Sequence, residues 1–352
     1  MAANTYRVGL IGCGRMGATI DDEVRDRPNS YLWLPYSHAA GVVACDRTEL
    51  VTVSDVDGEK AETIRDRYGA KTCYTDYREM IEKEALDIVC IATRPATHAE
   101  MTVFAAEHGV KGIYCEKPLC CSMAEADAMV SACTTHGVKF NYGAQRRYAP
   151  LYRKMRELAD AGELGTVQAV VVEQGTSAAM WGLTHGSDMM LYLAGDPEVE
   201  FVQGTILCED EDWDGDCLGT DPGVASGYVK FSNGIHGYFT AAGGTEFEVS
   251  GTTGKVRSMS NGMGWQLRKQ TDVAFEMTES ELPEISFGAG TDRGIYDLAE
   301  ALDTGRDTQS PLEVASRSQE VLMGIIESHR QGGARVPLPM ANRDLYIGKK
   351  GW

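Results

Sequence analysis

An apolar strand that runs directly into a glycine-rich turn constrains this chain more than any other feature. The strand is predicted over residues 6–11, and the turn has the pattern G-x-G-x-x-G at Gly12, Gly14 and Gly17. Gly12 allows a tight turn, Gly14 lets a pyrophosphate approach the backbone, and Gly17 lets the next helix pack close to the sheet. The N-terminus of that helix offers free N–H groups to phosphates, so the pattern predicts a dinucleotide site. The other candidates for cofactor binding in this turn are Cys13, Arg15 and Met16.

A second predicted strand, residues 50–55, ends in an acid. Asp55 is placed to accept hydrogen bonds from an adenosine ribose. A carboxylate there repels the 2′-phosphate of NADP, so we expect NAD as the cofactor. Arg15 would attract that phosphate, which keeps NADP open as the less favoured alternative.

Strand and helix patterns alternate through the first part of the chain. Strands are predicted at residues 6–11, 50–55, 87–92, 111–115 and 138–142, and helices at 58–68, 77–83, 97–108 and 123–136. Ser122 and Glu125 form a predicted capping box before the last of these helices. The alternation predicts an α/β Rossmann domain, residues 1–145, with a doubly wound parallel sheet covered by helices on both faces.

The pattern changes near residue 145. A helix is predicted at 150–161, strands at 167–174, 198–207, 224–231, 235–240 and 247–250, and two late helices at 293–303 and 313–330. This order predicts an α+β domain, residues 146–352, with a large and mostly antiparallel sheet. We expect that domain to bind substrate and to form oligomer contacts, with the site at the domain interface.

Composition excludes several classes of partner. The chain of 352 residues has a formal net charge of −19, which argues against nucleic acid and anionic membranes. It has no apolar run of membrane-spanning length and no room for a signal peptide before the first strand. Ten cysteines without a C-x-x-C pair indicate a reducing compartment and no zinc site, so we expect a cytoplasmic protein.

The segment Thr19–Tyr36 separates the glycine turn from Asp55 by more than the usual distance of about 20 residues. It is charged, then aromatic, and resembles an insertion into the first helix. Two interpretations stay open: a lid or substrate-contacting loop, and an oligomer contact or simple excursion.

A charged pair, Glu116 and Lys117, lies before Pro118 where a predicted buried strand ends. Ligands of doubly wound sheets bind at that edge, so Lys117 is expected to point into the cleft. The alternative is a structural ion pair. Three arginines stand out in so acidic a chain: Arg94, Arg146 and Arg147. They are expected either to bind an anionic group of the substrate or to form salt bridges between the domains.

Taken together, the motifs resemble the Gfo/Idh/MocA oxidoreductases, which include glucose–fructose oxidoreductase and inositol dehydrogenase. The resemblance covers nearly the whole chain and includes the glycine turn, Ala92-Thr93-Arg94-Pro95-Ala96-Thr97-His98, Glu116-Lys117-Pro118, Arg146-Arg147-Tyr148, Gly162-Glu163-Leu164-Gly165 and His185-x-x-Asp188. It implies a dehydrogenase that acts on CH–OH groups of sugars or cyclitols and forms a homodimer or homotetramer. It also adds Thr93, Arg94 and His98 to the cofactor-binding candidates.

The resemblance assigns roles to individual residues. Lys117 matches the lysine that contacts the nicotinamide end and the substrate hydroxyl, and Glu116 matches its neighbour near the nicotinamide ribose. His185 matches the general acid/base, a role that suits imidazole because its pKa lies near neutrality. Asp188 is expected to orient His185 or to bind a hydroxyl, with a capping role as the alternative.

The chain departs from the family at Trp181. Many members have an aspartate at that position, and no acid occurs from Gly175 through Ser187. Trp181 is a candidate platform for a sugar ring, or else a core residue, and Tyr148 or Asp188 is a candidate to assist Lys117 and His185. The departure leaves two other functions open: glycoside cleavage through transient oxidation and elimination, and a non-catalytic sugar or nucleotide sensor.

An acidic segment, residues 209–216, together with Asp221 matches the spacing of a calcium loop. Its flanks are predicted strands rather than helices. We therefore expect a solvated loop and no metal.

Overall fold

A computed structural model describes residues 4–286 and 288–348 of the chain. In its first half, strands alternate with helices, and a π-helical turn at Arg15–Thr19 leads into the first of them. The elements are β1 (Tyr6–Ile11), α1 (Ile20–Val24), α2 (His38–Ala44), β2 (Thr48–Ser54), α3 (Gly58–Tyr68), β3 (Thr72–Tyr74), α4 (Tyr77–Glu84), β4 (Ile88–Ile91), α5 (Pro95–Glu107), β5 (Gly112–Cys115), α6 (Met123–His136) and β6 (Lys139–Tyr142).

These six strands form one parallel sheet in the order β3-β2-β1-β4-β5-β6. The order reverses between β1 and β4, so the carboxyl ends of those strands border a crevice suited to a dinucleotide. This confirms the predicted doubly wound Rossmann sheet.

Local signals explain the helices whose bounds were predicted without error, α3 and α6. Asp57 caps α3 by accepting a hydrogen bond from the Lys60 N–H, and Gly69 ends it in a left-handed conformation. The capping box of α6 is present, because Ser122 and Glu125 each bond to the other's backbone N–H.

The second half contains a sheet that is largely antiparallel. Its elements are α7 (Pro150–Asp160), β7 (Val167–Glu173), α8 (Thr184–Ala194), β8 (Val199–Leu207), β9 (Trp213–Asp214), β10 (Cys217–Leu218), β11 (Gly223–Phe231), β12 (His236–Thr240), β13 (Glu246–Gly251), β14 (Gly254–Met259), β15 (Gly264–Gln270), β16 (Met277–Glu279), α9 (Thr291–Thr304), α10 (Leu312–Arg330), β17 (Val336–Pro337) and β18 (Tyr346–Ile347).

Within the described residues, nine of these strands pair in the order β16-β15-β14-β13-β7-β12-β11-β8-β17, and β7 with β12 is the parallel pair. This confirms the large, mostly antiparallel sheet. Strands β3, β9, β10 and β14 to β18 were not predicted from the sequence. In β14, buried residues alternate with Lys255 and Arg257, so the strand pattern was present but masked by charge.

Two apolar cores meet the parallel sheet. On one face, α2 and α9 pack over β1, β2 and β5, with Ile295 and Leu298 of α9 fully buried. On the other face, the core continues through α6, α8 and α10 to the nine-stranded sheet. The predicted first domain, residues 1–145, therefore lacks α9, which the tertiary structure adds to its core.

None of the helices in residues 4–286 and 288–348 has the length and apolar character needed to cross a membrane.

Candidate active site

The glycine turn lies at the carboxyl end of β1 and is open on one side. Gly12 has a positive φ of 92°, and its N–H donates to the Ser54 carbonyl at 2.8 Å. A Cβ added at Gly14 would meet no atom within 4 Å, whereas one added at Gly17 would lie 1.8 Å from the Gly12 carbonyl oxygen. The open approach at Gly14 and the close helix at Gly17 fit a bound pyrophosphate.

The side chains around this turn differ in accessibility. Burial raises the pKa of the Cys13 thiol to about 12, so it stays protonated. Arg15 is exposed, and its Nε bonds to both carboxylate oxygens of Glu23. Met16 lies half-buried in the π-helical turn.

Asp55 follows β2 and is fixed beside the glycine turn. Its Oδ2 accepts a hydrogen bond from the Cys13 N–H at 2.8 Å, and its Oδ1 accepts one from the Asp57 N–H at 3.0 Å. Lys60 Nζ lies 3.8 Å from Asp55 Oδ1. The carboxylate is therefore held at the edge where the ribose of a dinucleotide is expected.

The residues after β4 have different roles. The hydroxyls of Thr93 and Thr97 are 2.8 Å apart at the start of α5, and Arg94 is exposed before Pro95. His98 is fully buried, and its ring nitrogens lie 2.9 Å from the Pro118 carbonyl oxygen and 3.3 Å from that of Thr93. This corrects the prediction for His98: the buried ring is enclosed by main-chain carbonyl oxygens and its single N–H donates to one of them, so the histidine positions the loop after β5.

That loop carries the charged pair. Glu116 is buried with its Oε2 3.1 Å from His38 Nε2. The peptide bond between Lys117 and Pro118 is cis. The Lys117 ammonium donates to the Trp181 carbonyl oxygen at 3.1 Å and lies 4.9 Å from the centre of the indole. Burial lowers the pKa of Lys117, and the Glu116 carboxylate opposes part of that shift.

His185 lies in the first turn of α8 and lines a cavity of about 280 Å³. Burial lowers the pKa of His185 well below its usual 6.5, and the charges of Arg146 and Lys117 lower it further. The imidazole is therefore neutral near pH 7 and able to accept a proton.

Arg147 and Asp188 form a buried ion pair, which corrects their prediction as substrate-binding candidates. Arg147 Nε donates to Asp188 Oδ1 at 2.8 Å, and its other N–H groups bond to Asp196 and to the carbonyl oxygens of Asp188 and Gln309. The two side chains are at most 1% exposed. All five Arg147 donors are used within the protein, and Asp188 binds Arg147 rather than orienting His185.

Tyr148 also lies away from the cavity around His185. Its hydroxyl is 2.8 Å from Asp297 Oδ2 and 2.9 Å from Asn141 Oδ1, and the residue is 4% exposed. Tyr148 therefore joins α9 to the parallel sheet instead of assisting the reaction.

Asp221 is a site residue that the sequence analysis missed, because it was considered only as the last position of a calcium loop. Its carboxylate accepts hydrogen bonds from the Met180 N–H at 2.8 Å and the Trp181 N–H at 2.9 Å. It also interacts electrostatically with Lys117. Asp221, from the loop before β11, therefore supplies a carboxylate beside Trp181, where the segment Gly175–Ser187 contains no acidic residue.

In the part of the chain that the structure describes, no three His, Cys, Asp or Glu side chains are grouped to hold a metal ion.

The segment Thr19–Tyr36 forms a wall of the cavity. Six of its side chains line the space that His185 also lines: Ile20, Val24, Arg27, Leu32, Trp33 and Tyr36. Asp21 holds the segment by accepting hydrogen bonds from the N–H groups of Tyr36 and Ser37, both at 2.9 Å. This placement favours the substrate-contacting interpretation over an excursion from the fold.

Comparisons with known proteins agree with this architecture. Residues 6–144 match the family model "Oxidoreductase family, NAD-binding Rossmann fold", and residues 165–338 match "Oxidoreductase family, C-terminal alpha/beta domain". The myo-inositol 2-dehydrogenase of Thermotoga maritima is 26% identical over 220 residues, 58% of this chain and 60% of that protein. Inositol 2-dehydrogenase 3 of Saccharopolyspora erythraea is 33% identical over 163 residues, 46% of this chain and 43% of that protein. The chain thus spans about half the length of these curated relatives.

Solved structures show the same fold. Levoglucosan dehydrogenase in complex with NADH has a TM-score of 0.74 at 20% identity, over 96% of this chain and 100% of that one. The aldose-aldose oxidoreductase of Caulobacter crescentus, complexed with glycerol, also has a TM-score of 0.74 at 20% identity, over 95% and 100%. With both of its domains matched, the chain belongs to the Gfo/Idh/MocA family of oxidoreductases and begins with that family's NAD-binding Rossmann domain.

Proposed function

We propose that this protein is an NAD-dependent oxidoreductase that transfers a hydride between nicotinamide and a secondary hydroxyl or keto carbon. The substrate is a sugar, a sugar derivative or a cyclitol. One observation carries the proposal: the Lys117 ammonium donates to the carbonyl oxygen of Trp181, four residues before His185, so both side chains lie at the start of α8.

The chemistry divides between these two side chains. When bound, NAD supplies the acceptor for the hydride. A ring nitrogen of His185 takes the hydroxyl proton as the substrate is oxidised, and returns it in the reverse direction. The Lys117 ammonium lies beside the reacting oxygen and stabilises its developing negative charge.

The geometry also suggests how the chain works without the usual aspartate. Trp181 presents its carbonyl oxygen to Lys117, and Asp221 holds the two peptide N–H groups at Met180 and Trp181. The ammonium is thereby kept in place by a main-chain acceptor. Asp221 is a positioning residue in this arrangement.

The Asp55 carboxylate beside the glycine turn supports NAD over NADP, because it would repel a 2′-phosphate. Lys60, whose Nζ lies 3.8 Å from Asp55 Oδ1, weakens this discrimination. We expect a preference rather than exclusive use of NAD.

The nine-stranded sheet supplies a surface for self-association into a homodimer or homotetramer. Tyr228 and Tyr238 point outward with ring centres 5.6 Å apart, and Phe201 lies 5.7 Å from Tyr228. Tyr238 is 39% exposed. Light scattering on the intact protein, compared with Tyr238→Glu, tests this interface.

The experiment that tests the function follows nicotinamide reduction and product mass together. Purified protein and NAD are offered a panel of sugars, glycosides, uronates and inositols. NADH formed with a product two hydrogens lighter supports the dehydrogenase.

Cleavage of a glycoside without net NADH contradicts it and supports the redox-assisted glycosidase. Binding without any chemistry, unchanged in His185→Ala and Lys117→Ala, supports a sensor.

A further inference from the structure

The cavity beside His185 has an unusual charge for so acidic a protein. Three arginines line it, Arg15, Arg27 and Arg146, and none of the described lining residues is an acid. The chain as a whole has 52 acidic and 33 basic residues, so carboxylates that could pair with these arginines are not scarce. This excess of positive charge is local and therefore points to the ligand.

Two of these guanidinium groups have no carboxylate partner among the described residues. Arg15 is paired with Glu23. Arg146, which is half-buried, donates through Nη2 to the amide oxygen of Asn261 at 2.7 Å, and no ion pair within residues 4–286 and 288–348 includes Arg146 or Arg27.

Two buried acids of this region have partners other than Arg146. Glu116 bonds to His38, and Asp188 is paired with Arg147. Both are within electrostatic range of the site, but neither lines the cavity. The positive charge of Arg146 is therefore left facing the ligand space.

A half-buried guanidinium without a carboxylate in contact destabilises the protein unless a ligand binds it. Partial burial of Arg146 costs solvation energy, and its charge repels the proton of His185. Guanidinium binds carboxylates and phosphates through paired N–H donors, whereas hydroxyls of neutral sugars gain less from it.

We propose that the substrate carries an anionic group, a carboxylate or a phosphate, that binds Arg146, with Arg27 at the cavity mouth attracting it. This inference rests on the proposed function and specifies its substrate class. The cavity of about 280 Å³ lies just below the roughly 300–1,000 Å³ of small-molecule pockets, which suits one sugar ring.

The test compares compounds that differ mainly in charge. Nicotinamide reduction is measured for glucuronate against glucose, galacturonate against galactose, gluconate against glucitol, and glucose 6-phosphate against glucose. Binding is followed separately by tryptophan fluorescence of the NAD-loaded protein, because Trp33 lines the cavity. The carboxylate and phosphate arms distinguish the two sources of charge.

We expect an anionic member of at least one pair to bind and react better than its neutral partner. Arg146→Gln should lower kcat/KM for that compound about thirtyfold, mainly through KM, and Arg146→Lys should restore part of it. Arg153→Gln is the matched control, because Arg153 is an exposed arginine on α7 outside this cavity.

The outcomes separate this inference from the proposed function. NADH formation with neutral compounds, unaffected by Arg146→Gln, overturns the inference and leaves the dehydrogenase standing. Arg146-dependent binding of anions without any NADH or oxidised product supports the anion site and contradicts the dehydrogenase. A lack of preference for the anionic member in every pair overturns the inference, whatever happens to the nicotinamide.

Discussion

The ammonium of Lys117 is 3.1 Å from the main-chain carbonyl oxygen of Trp181 and 4.9 Å from the centre of its indole ring. The residue that replaces the usual aspartate therefore still contacts the lysine, but through its backbone. The ammonium thus has a main-chain acceptor at a position whose side chain is not an acid.

Trp181→Ala should affect substrate binding more than the chemical step. The carbonyl contact to Lys117 remains, while the cation–π contact and the exposed indole face are lost. We expect KM to rise about two- to tenfold with little change in kcat, since contact with an aromatic face contributes roughly 0.5–1.5 kcal/mol to the binding of a ring.

Steady-state kinetics check this, with Phe275→Ala as the control because Phe275 is an exposed aromatic residue that does not line the cavity. A large fall in kcat with unchanged KM would contradict the assignment.

Asp221→Asn should impair the position and the charge of Lys117. An amide accepts only one of the two N–H bonds at Met180 and Trp181, so the turn that presents the carbonyl is loosened. We expect kcat to fall on the order of tenfold, in line with the cost of small displacements.

Because the Asp221 carboxylate favours the protonated ammonium, its loss should also move the alkaline limb of the pH profile to lower pH. Asp76→Asn, which makes the same change in a carboxylate that caps the N-terminus of α4, is the matched control. A lower melting temperature with an unmoved limb would show that Asp221 is only structural.

The pH dependence of the oxidation follows from two lowered pKa values. His185 must be neutral to accept the proton, and its pKa lies well below 6.5, so kcat/KM should hold as the pH falls through 6.5 and drop only below it. Lys117 must be protonated to polarise the oxygen, and its pKa is below 10.5, so the alkaline limb should have its midpoint below that value.

Initial rates across the pH range, with stability measured at each pH, provide the check. An acid midpoint at or above 6.5 would show that His185 is not held neutral.

Arg147→Leu should destabilise the protein strongly. It leaves the buried Asp188 carboxylate without its partner, and breaking such a pair costs about 3–5 kcal/mol. Urea unfolding measures the loss in the free energy of unfolding.

Lys83→Ala serves as the comparison, because its exposed pair with Glu79 on α4 contributes only about 0.3–0.5 kcal/mol. A stable Arg147→Leu protein with a raised KM would restore Arg147 as a substrate-binding residue.

Features encoded by short segments were predictable. The glycine turn needs three glycines at fixed spacing, and Asp55, at the end of the next predicted strand, accepts a hydrogen bond from the Cys13 N–H of that turn. The capping box of Ser122 and Glu125 was predicted and starts α6, and Asp57 caps α3 in the same way, each acting on a backbone group three residues away. In each case the physical cause is a hydrogen bond or a conformation confined to one turn of chain.

What the sequence by itself determined was the class of sheet, the cofactor edge and the identity of Lys117 and His185 as candidates. Only the tertiary structure decided which charged side chains pair with one another and which of them line the cavity. Arg146 and Arg147 are adjacent in the chain, yet one lines the cavity and the other is buried against Asp188 and Asp196. Asp221 likewise reaches Trp181 across 40 residues. Desolvation and ion pairing depend on which distant segments surround a side chain, and that information is absent from local sequence patterns.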